Sequence, residues 1–156
     1  MLRITLAALH LLALGLGLGA VISRGTALRE PASNAALRRA FRSDGLWGLA
    51  ALLWVSTGLW RWLAGIEKPA GYYMTNPVFH TKLGLFLLIL GLELWPAITL
   101  MRWRRSFAAG ESAERLMNTG AGRRIAVISH VEALLVVAMI FLAVTMARGY
   151  GALTGG

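Results

Sequence analysis

The chain has 156 residues, of which 57% are hydrophobic and 15% charged, and its formal net charge is +9 at pH 7. Soluble domains carry about a quarter charged residues, so this balance predicts a membrane protein, which we take as one domain over residues 1–156. Because the arginines lie in two short loops between apolar runs, a nucleic-acid partner is not expected. The lack of cysteine excludes disulfides, thiolate metal sites, iron–sulfur clusters and cysteine nucleophiles.

Four apolar windows, 4–22, 46–64, 78–101 and 125–147, are long enough to cross about 30 Å of hydrocarbon. We interpret the first as a retained span, since it is long for the apolar part of a signal peptide and more spans follow. Ser43 or Asp44 is predicted to cap the second helix, and Pro96 to kink the third. The predicted fold class is therefore all-α, an integral membrane four-helix bundle.

The loops after the first and third windows hold eleven of the arginines, whereas the middle loop offers only Lys68, with Arg61 at the helix end before it. By the positive-inside rule, these two basic loops lie in the cytoplasm and both termini outside. The same orientation predicts two belts of interfacial aromatic residues. They are Trp60, Trp62, Tyr72 and Tyr73 on the outside, and Trp47 and Trp103 on the inside.

The first helix carries small residues at close spacing, among them Ala13, Gly15, Gly17 and Gly19. Such residues let helix backbones approach closely, and we expect packing within the chain rather than a dimer contact. His10 shares a helical face with Ala13 and Gly17, so we predict that it points into the bundle.

Counting residues from the predicted helix ends sorts the ionisable side chains into two layers. The outer layer is His10, His80 and Lys82, and the inner layer is Glu93, Glu132 and His130. Ionisable groups inside a membrane are by default functional candidates, but structural alternatives stay open. Lys82 can reach the headgroups, His10 can bond to a neighbouring helix, and the glutamates can pair with Arg24 or Arg42.

The outer layer offers imidazole ligands for a metal centre. His10 and His80 on facing helices suit a haem iron, because neutral imidazole is a good axial ligand. Copper is the alternative metal, with the thioether of Met74 as a further ligand. The third alternative is a structural membrane subunit without a cofactor, and spacing alone does not choose among the three.

The segments ALHLLALGLGLGAVISRGTALR, FHTKLGLFLLI and SHVEALLVVAMIFLAVTMARG resemble the DUF2214 family of bacterial four-helix membrane proteins. The likeness covers almost the whole chain, including RSDGLWGLAALLWVSTGLWR. The likeness implies a multi-pass protein of the bacterial inner membrane. Its expected partners are the lipid bilayer and, as open alternatives, further copies of the same chain or a membrane redox protein.

A more distant resemblance is to HemJ-type protoporphyrinogen oxidases and CopD-type copper-handling proteins, through Ala8-Leu9-His10, His80-Thr81-Lys82 and Glu132-Ala133-Leu134-Leu135. It implies b-type haem, with His10 and His80 as ligands and Lys82 as a functional partner. Leu92-Glu93 stand where that group has a tyrosine–histidine pair, so enzymatic activity stays open. The resulting hypothesis is a haem-binding redox or haem-handling protein. The alternatives are copper or small-solute handling, or a subunit without a cofactor.

Overall fold

Every regular element that the computed structural model describes, over residues 1–65 and 70–150, is a helix. In chain order they are α1 (Leu2–Ala27), α2 (Asn34–Leu63), α3 (Ala70–Thr75), α4 (Pro77–Ala108), α5 (Ala113–Met117) and α6 (Gly120–Ala147). The predicted all-α class is confirmed. Lys68, which the sequence places in the middle loop, lies outside the described residues.

Among the described helices, α1, α4 and α6 are long and apolar enough to cross a membrane. They contain the predicted spans 4–22, 78–101 and 125–147. The second predicted span, 46–64, lies in α2, which is 30 residues long but is not among the three. Its tryptophans, together with Ser56, Thr57 and Arg61, lower the mean hydropathy of the segment, because they occupy positions that aliphatic residues hold in a strongly apolar helix.

The start of α2 differs from the prediction. Ser43 and Asp44 lie inside the helix, which begins at Asn34 after Ser33, whose side chain accepts from the backbone N–H of Ala36. Leu37 is fully buried in the core near the basic loops. The amphipathic segment before the apolar span therefore remains helical because it has a core to pack against.

Helix α1 packs along α2 and α6, and α4 packs mainly along α6. A side chain on Gly17 would meet Trp47, whose Cζ3 lies 3.0 Å from the ideal Cβ position, whereas Gly15 and Gly19 face open space. The contact agrees with the expectation that the small residues pack within the chain.

The inner aromatic belt is wrong, because both of its members are core residues. Trp47 is 5% exposed and Trp103 is 8% exposed. Trp47 fills the space beside Gly17, and Trp103 lies beside Gly122, where small residues leave room for an indole ring. In the predicted outer belt Tyr73 is also buried, while Trp60 is exposed.

Helix α4 begins with a side-chain cap. Asn76 Oδ1 accepts from the backbone N–H groups of Val78 and Phe79, and Pro77 fits the first helical turn because no N–H is needed there. Pro96 lies buried inside the same helix, which runs as one element to Ala108. The kink expected at Pro96 stays a prediction.

Candidate functional site

A fully buried arginine near the end of α1 organises the candidate site. A guanidinium group has five N–H donors, and all five of Arg24 are used. Glu93 accepts two of them, from Nη1 to Oε1 at 2.7 Å and from Nη2 to Oε2 at 2.8 Å. The others go to Asp44 Oδ1 at 3.1 Å, Glu132 Oε2 at 2.8 Å and Ser129 Oγ at 2.9 Å. We name these five residues the Arg24 cluster.

The cluster joins all four long helices, because α1 supplies Arg24, α2 supplies Asp44, α4 supplies Glu93 and α6 supplies Glu132. Paired N–H···O bonds from one guanidinium to one carboxylate are the strong geometry for this type of contact. The ion pairs therefore fix how the helices are rotated relative to one another, not only how far apart they lie.

Within residues 1–65 and 70–150, the carboxylates of the Arg24 cluster outnumber the cations that touch them. Asp44, Glu93 and Glu132 are three acids, and their cationic partners are Arg24 and, on Asp44, Arg104 at 2.9 Å. If every group were ionised, the assembly would carry one uncompensated negative charge. Burial makes such a charge expensive.

Glu132 is the deepest acid of the cluster. Its side chain is fully buried, whereas those of Glu93 and Asp44 are 18% and 15% exposed. The Oε1 atom of Glu132 has no hydrogen-bond partner within the described residues. Ser129 cannot supply one in this arrangement, because its hydroxyl donates to the Ile125 carbonyl at 2.8 Å.

His130, the third member of the predicted inner layer, lies beside the Arg24 cluster without bonding to it. Its Nδ1 donates to the Ala126 carbonyl at 2.6 Å, and its ring packs on the backbone of Gly25, next to Arg24. A Cβ on Gly25 would lie 2.6 Å from Cε1 of the ring. The missing side chain of Gly25 is therefore what lets α6 approach α1 here.

In the predicted outer layer, both ring nitrogens of His10 are hydrogen-bonded to α2. The indole N–H of Trp54 can only donate, and it donates to Nε2 at 2.9 Å. Nδ1 therefore carries the ring proton and donates to Thr57 Oγ1 at 2.9 Å. The ring also lies against Gly58, where a Cβ would be 3.2 Å from Cε1. This is the structural alternative for His10, a bond to a neighbouring helix.

The other two outer residues lie at the start of α4. His80 is exposed, and its Nε2 bonds to the Met74 carbonyl oxygen at 2.8 Å. Lys82 lies close enough to His10 to interact with it electrostatically. Among residues 1–65 and 70–150, no group of three or more histidines and carboxylates has the arrangement of a metal site.

Comparison with protein families gives a match over residues 2–151, to a family described as predicted membrane protein, DUF2214. The chain belongs to the DUF2214 family. No curated protein and no solved structure matches it. The family description and the three apolar helices agree on a lipid bilayer as the environment of this DUF2214 protein.

Sequence analysis missed two residues of the cluster in this DUF2214 protein, Asp44 and Ser129. Asp44 had a usable signal, because it lies two residues before the second apolar window and Arg24 lies two residues after the first. Adjacent antiparallel helices place such positions at equal depth. Ser129 precedes Glu132 by three residues, which puts both side chains on one helical face.

Proposed function

We propose that this DUF2214 protein is a single-domain, multi-pass protein of the bacterial inner membrane, with α1, α2, α4 and α6 as four crossing helices and both termini outside. One buried core cluster supports this arrangement. It contains Ala27 of α1, Leu37 of α2, Leu100 of α4 and Ile125 of α6. The end of α1, the beginning of α2, the end of α4 and the beginning of α6 thus meet on one side, together with both arginine-rich loops.

Within that frame, the protein binds and releases a proton at the Arg24 cluster. The observation that carries this proposal is the excess of one carboxylate over the cations among the described residues, with Oε1 of the fully buried Glu132 left without a partner there. A proton on Oε1 removes the uncompensated charge while Oε2 keeps its bond from Arg24. Proton relays are one of the roles for which proteins keep paired carboxylates inside a membrane.

Each acid has a distinct role in the proposed relay. Glu93 and Asp44 are partly exposed and exchange protons with the surroundings, while fully buried Glu132 stores the proton. Glu93 and Glu132 both bond to Nη2 of Arg24, so the guanidinium holds donor and acceptor acids side by side. Protonation of Glu93 would remove part of the tie between α4 and α1, which couples proton binding to helix packing.

Infrared spectroscopy of the protein in detergent tests the proposal. We expect the absorption band of a buried protonated carboxyl group at neutral pH, with loss of that band in Glu132→Gln. Glu114→Gln, which removes an exposed acid in α5, is the matched control and should keep the band. A band that is absent from the wild type, or that survives in Glu132→Gln, would overturn the proposal.

Two points support the redox hypothesis, namely the electrostatic interaction between Lys82 and His10 and the resemblance to HemJ-type and CopD-type proteins. His10 Nε2 accepts from the Trp54 indole and Nδ1 donates to Thr57, and these bonds do not fit an axial haem ligand, because no ring nitrogen has a free lone pair. Binding of haem or copper by His10 and His80 stays a prediction.

Absorbance and metal analysis of the purified protein test whether haem or copper is bound. A Soret band lost in His10→Ala would favour haem, and stoichiometric copper in a colourless protein would favour copper.

A further inference from the structure

A second candidate site shares no residue with the Arg24 cluster. It is an open groove of about 590 Å³ between the second half of α4 and the first half of α6. We name it the α4–α6 groove; it is lined by Trp95, Gly120, Arg123, Arg124, Val127 and Ile128.

One part of the groove is apolar and accessible. Trp95 is 41% exposed and Val127 is 47% exposed, and Ile128 lies beside them. Indole rings favour the boundary between headgroups and hydrocarbon in membranes. An apolar wall with an exposed tryptophan at this depth is suited to an acyl chain and its glycerol linkage.

The other part of the groove carries two arginines. Arg123 and Arg124 are exposed, and in the described part of the chain neither contacts a carboxylate. By contrast, Arg24, Arg39, Arg104 and Arg115 are all paired with acids. The first turn of α6 contains no acidic residue. The positive charge at the mouth of the groove is therefore uncompensated by the residues that the structure describes.

We propose that the α4–α6 groove binds an anionic phospholipid of the leaflet on the side of the arginine-rich loops. Arg123 and Arg124 would contact the lipid phosphate, and Trp95 and Val127 would contact an acyl chain. Basic pockets between membrane helices are recognised binding sites for acidic headgroups. Free inorganic phosphate would use the arginines alone and leave the apolar wall of the groove unoccupied.

Thermal unfolding in a neutral detergent, with phosphatidylglycerol or phosphatidylcholine added, tests the site. Phosphatidylglycerol should raise the Tm of the wild type more than phosphatidylcholine does. In the double variant Arg123→Gln/Arg124→Gln the apparent lipid affinity should fall on the order of tenfold or more, since each surface arginine contributes to anionic-lipid binding. Inorganic phosphate should not reproduce the shift.

The matched control is Arg29→Gln/Arg42→Gln, which removes the same charge from two exposed arginines, one in the α1–α2 connection and one in the first third of α2. It should keep the phosphatidylglycerol response. Equal losses in both double variants would mean diffuse electrostatic attraction and would overturn the site. As a readout independent of folding stability, brominated phosphatidylglycerol should quench tryptophan fluorescence less in Trp95→Phe than in the wild type, and equal quenching would also overturn it.

Discussion

Arg24 can hold its partners because a guanidinium group offers five hydrogens in a fixed plane, and each has an acceptor here. A lysine has three donors on one nitrogen. The residue-scale prediction is that Arg24→Lys leaves buried carboxylate oxygens unbonded. Hydrogen bonds to charged groups contribute about 1.5–3 kcal/mol each, so the loss of two should lower the free energy of unfolding by at least about 3 kcal/mol. Unfolding in mixed micelles measures this change.

Arg39→Lys is the control for that experiment. Arg39 pairs with Glu30, but its side chain is 49% exposed, and exposed pairs contribute at most about 1 kcal/mol. Its replacement should therefore leave stability nearly unchanged. Similar effects of the two substitutions would show that burial does not strengthen the bonds of the Arg24 cluster.

A second prediction compares alanine substitutions at two glycines of α1. Gly17→Ala would place a Cβ 3.0 Å from Trp47 Cζ3, so it should push α2 away and lower the Tm, whereas Gly19 has nothing within 4 Å. Gly19→Ala should leave the Tm unchanged or raise it, because alanine is the better helix former by about 0.5–1 kcal/mol. Heating both variants in detergent checks the order, and a Tm for Gly19→Ala below that of Gly17→Ala would contradict it.

At the residue scale, the sequence limits the arginine partners of Glu93 and Glu132 to a few candidates but does not choose among them. Arg24 and Arg42 both flank apolar windows at a similar depth. The structure buries Arg24 and leaves Arg42 exposed. That choice depends on how α1 and α2 are rotated about their axes, and rotation is set by contacts such as Gly17 with Trp47, which no local pattern reveals.

At the scale of the element, the start of α4 depends on Asn76, which is 1% exposed. Its Oδ1 accepts from two backbone N–H groups. Asn76→Ala should therefore lower the free energy of unfolding by about 0.5–2 kcal/mol, the range for loss of an N-cap. Asn76→Asp keeps the acceptor and should restore part of the loss. The Tm of Asn76→Asp should therefore be higher than the Tm of Asn76→Ala. The reverse order would argue against a capping role for Asn76.

Hydrophobic windows place helix centres better than helix ends. The window 125–147 and α6 (Gly120–Ala147) end at the same residue, but α2 begins twelve residues before the window 46–64. Apolar periodicity does not show where a polar but packed segment such as the one around Leu37 remains helical. The true cap, Ser33, precedes residues that are buried only because α1, α4 and α5 pack on α2.

At the scale of the whole molecule, orientation is open to direct test. We expect reporter fusions after Arg39 and after Arg115 to report a cytoplasmic location, and a fusion after Tyr73 to report an external one. The reason is the retention of arginine-rich loops on the cytoplasmic side. An external signal from either basic loop would contradict the four-crossing orientation and reverse the leaflet proposed for the α4–α6 groove.

The overall class of the protein follows from composition and apolar windows, because lipid demands helices with internally bonded backbones. The cluster does not follow from them. Its members lie in four helices, and the pairs span up to 108 positions in the chain, as between Arg24 and Glu132. The membrane depth counted from the predicted helix ends was enough to group Glu93 with Glu132. Their shared contact with one guanidinium required the three-dimensional packing.

The order of the Arg24 cluster along the chain bears on how the protein is synthesised. Its guanidinium comes from the first helix, and the acids follow at Asp44, Glu93 and Glu132. During translation each acid therefore leaves the insertion machinery when a cationic partner is already in place. Insertion of an isolated acid into the membrane costs roughly 2.5–3.5 kcal/mol. We therefore expect the α1–α2 hairpin to assist the insertion of α4 by pairing with its acid, and we expect α4 expressed without the hairpin to insert poorly.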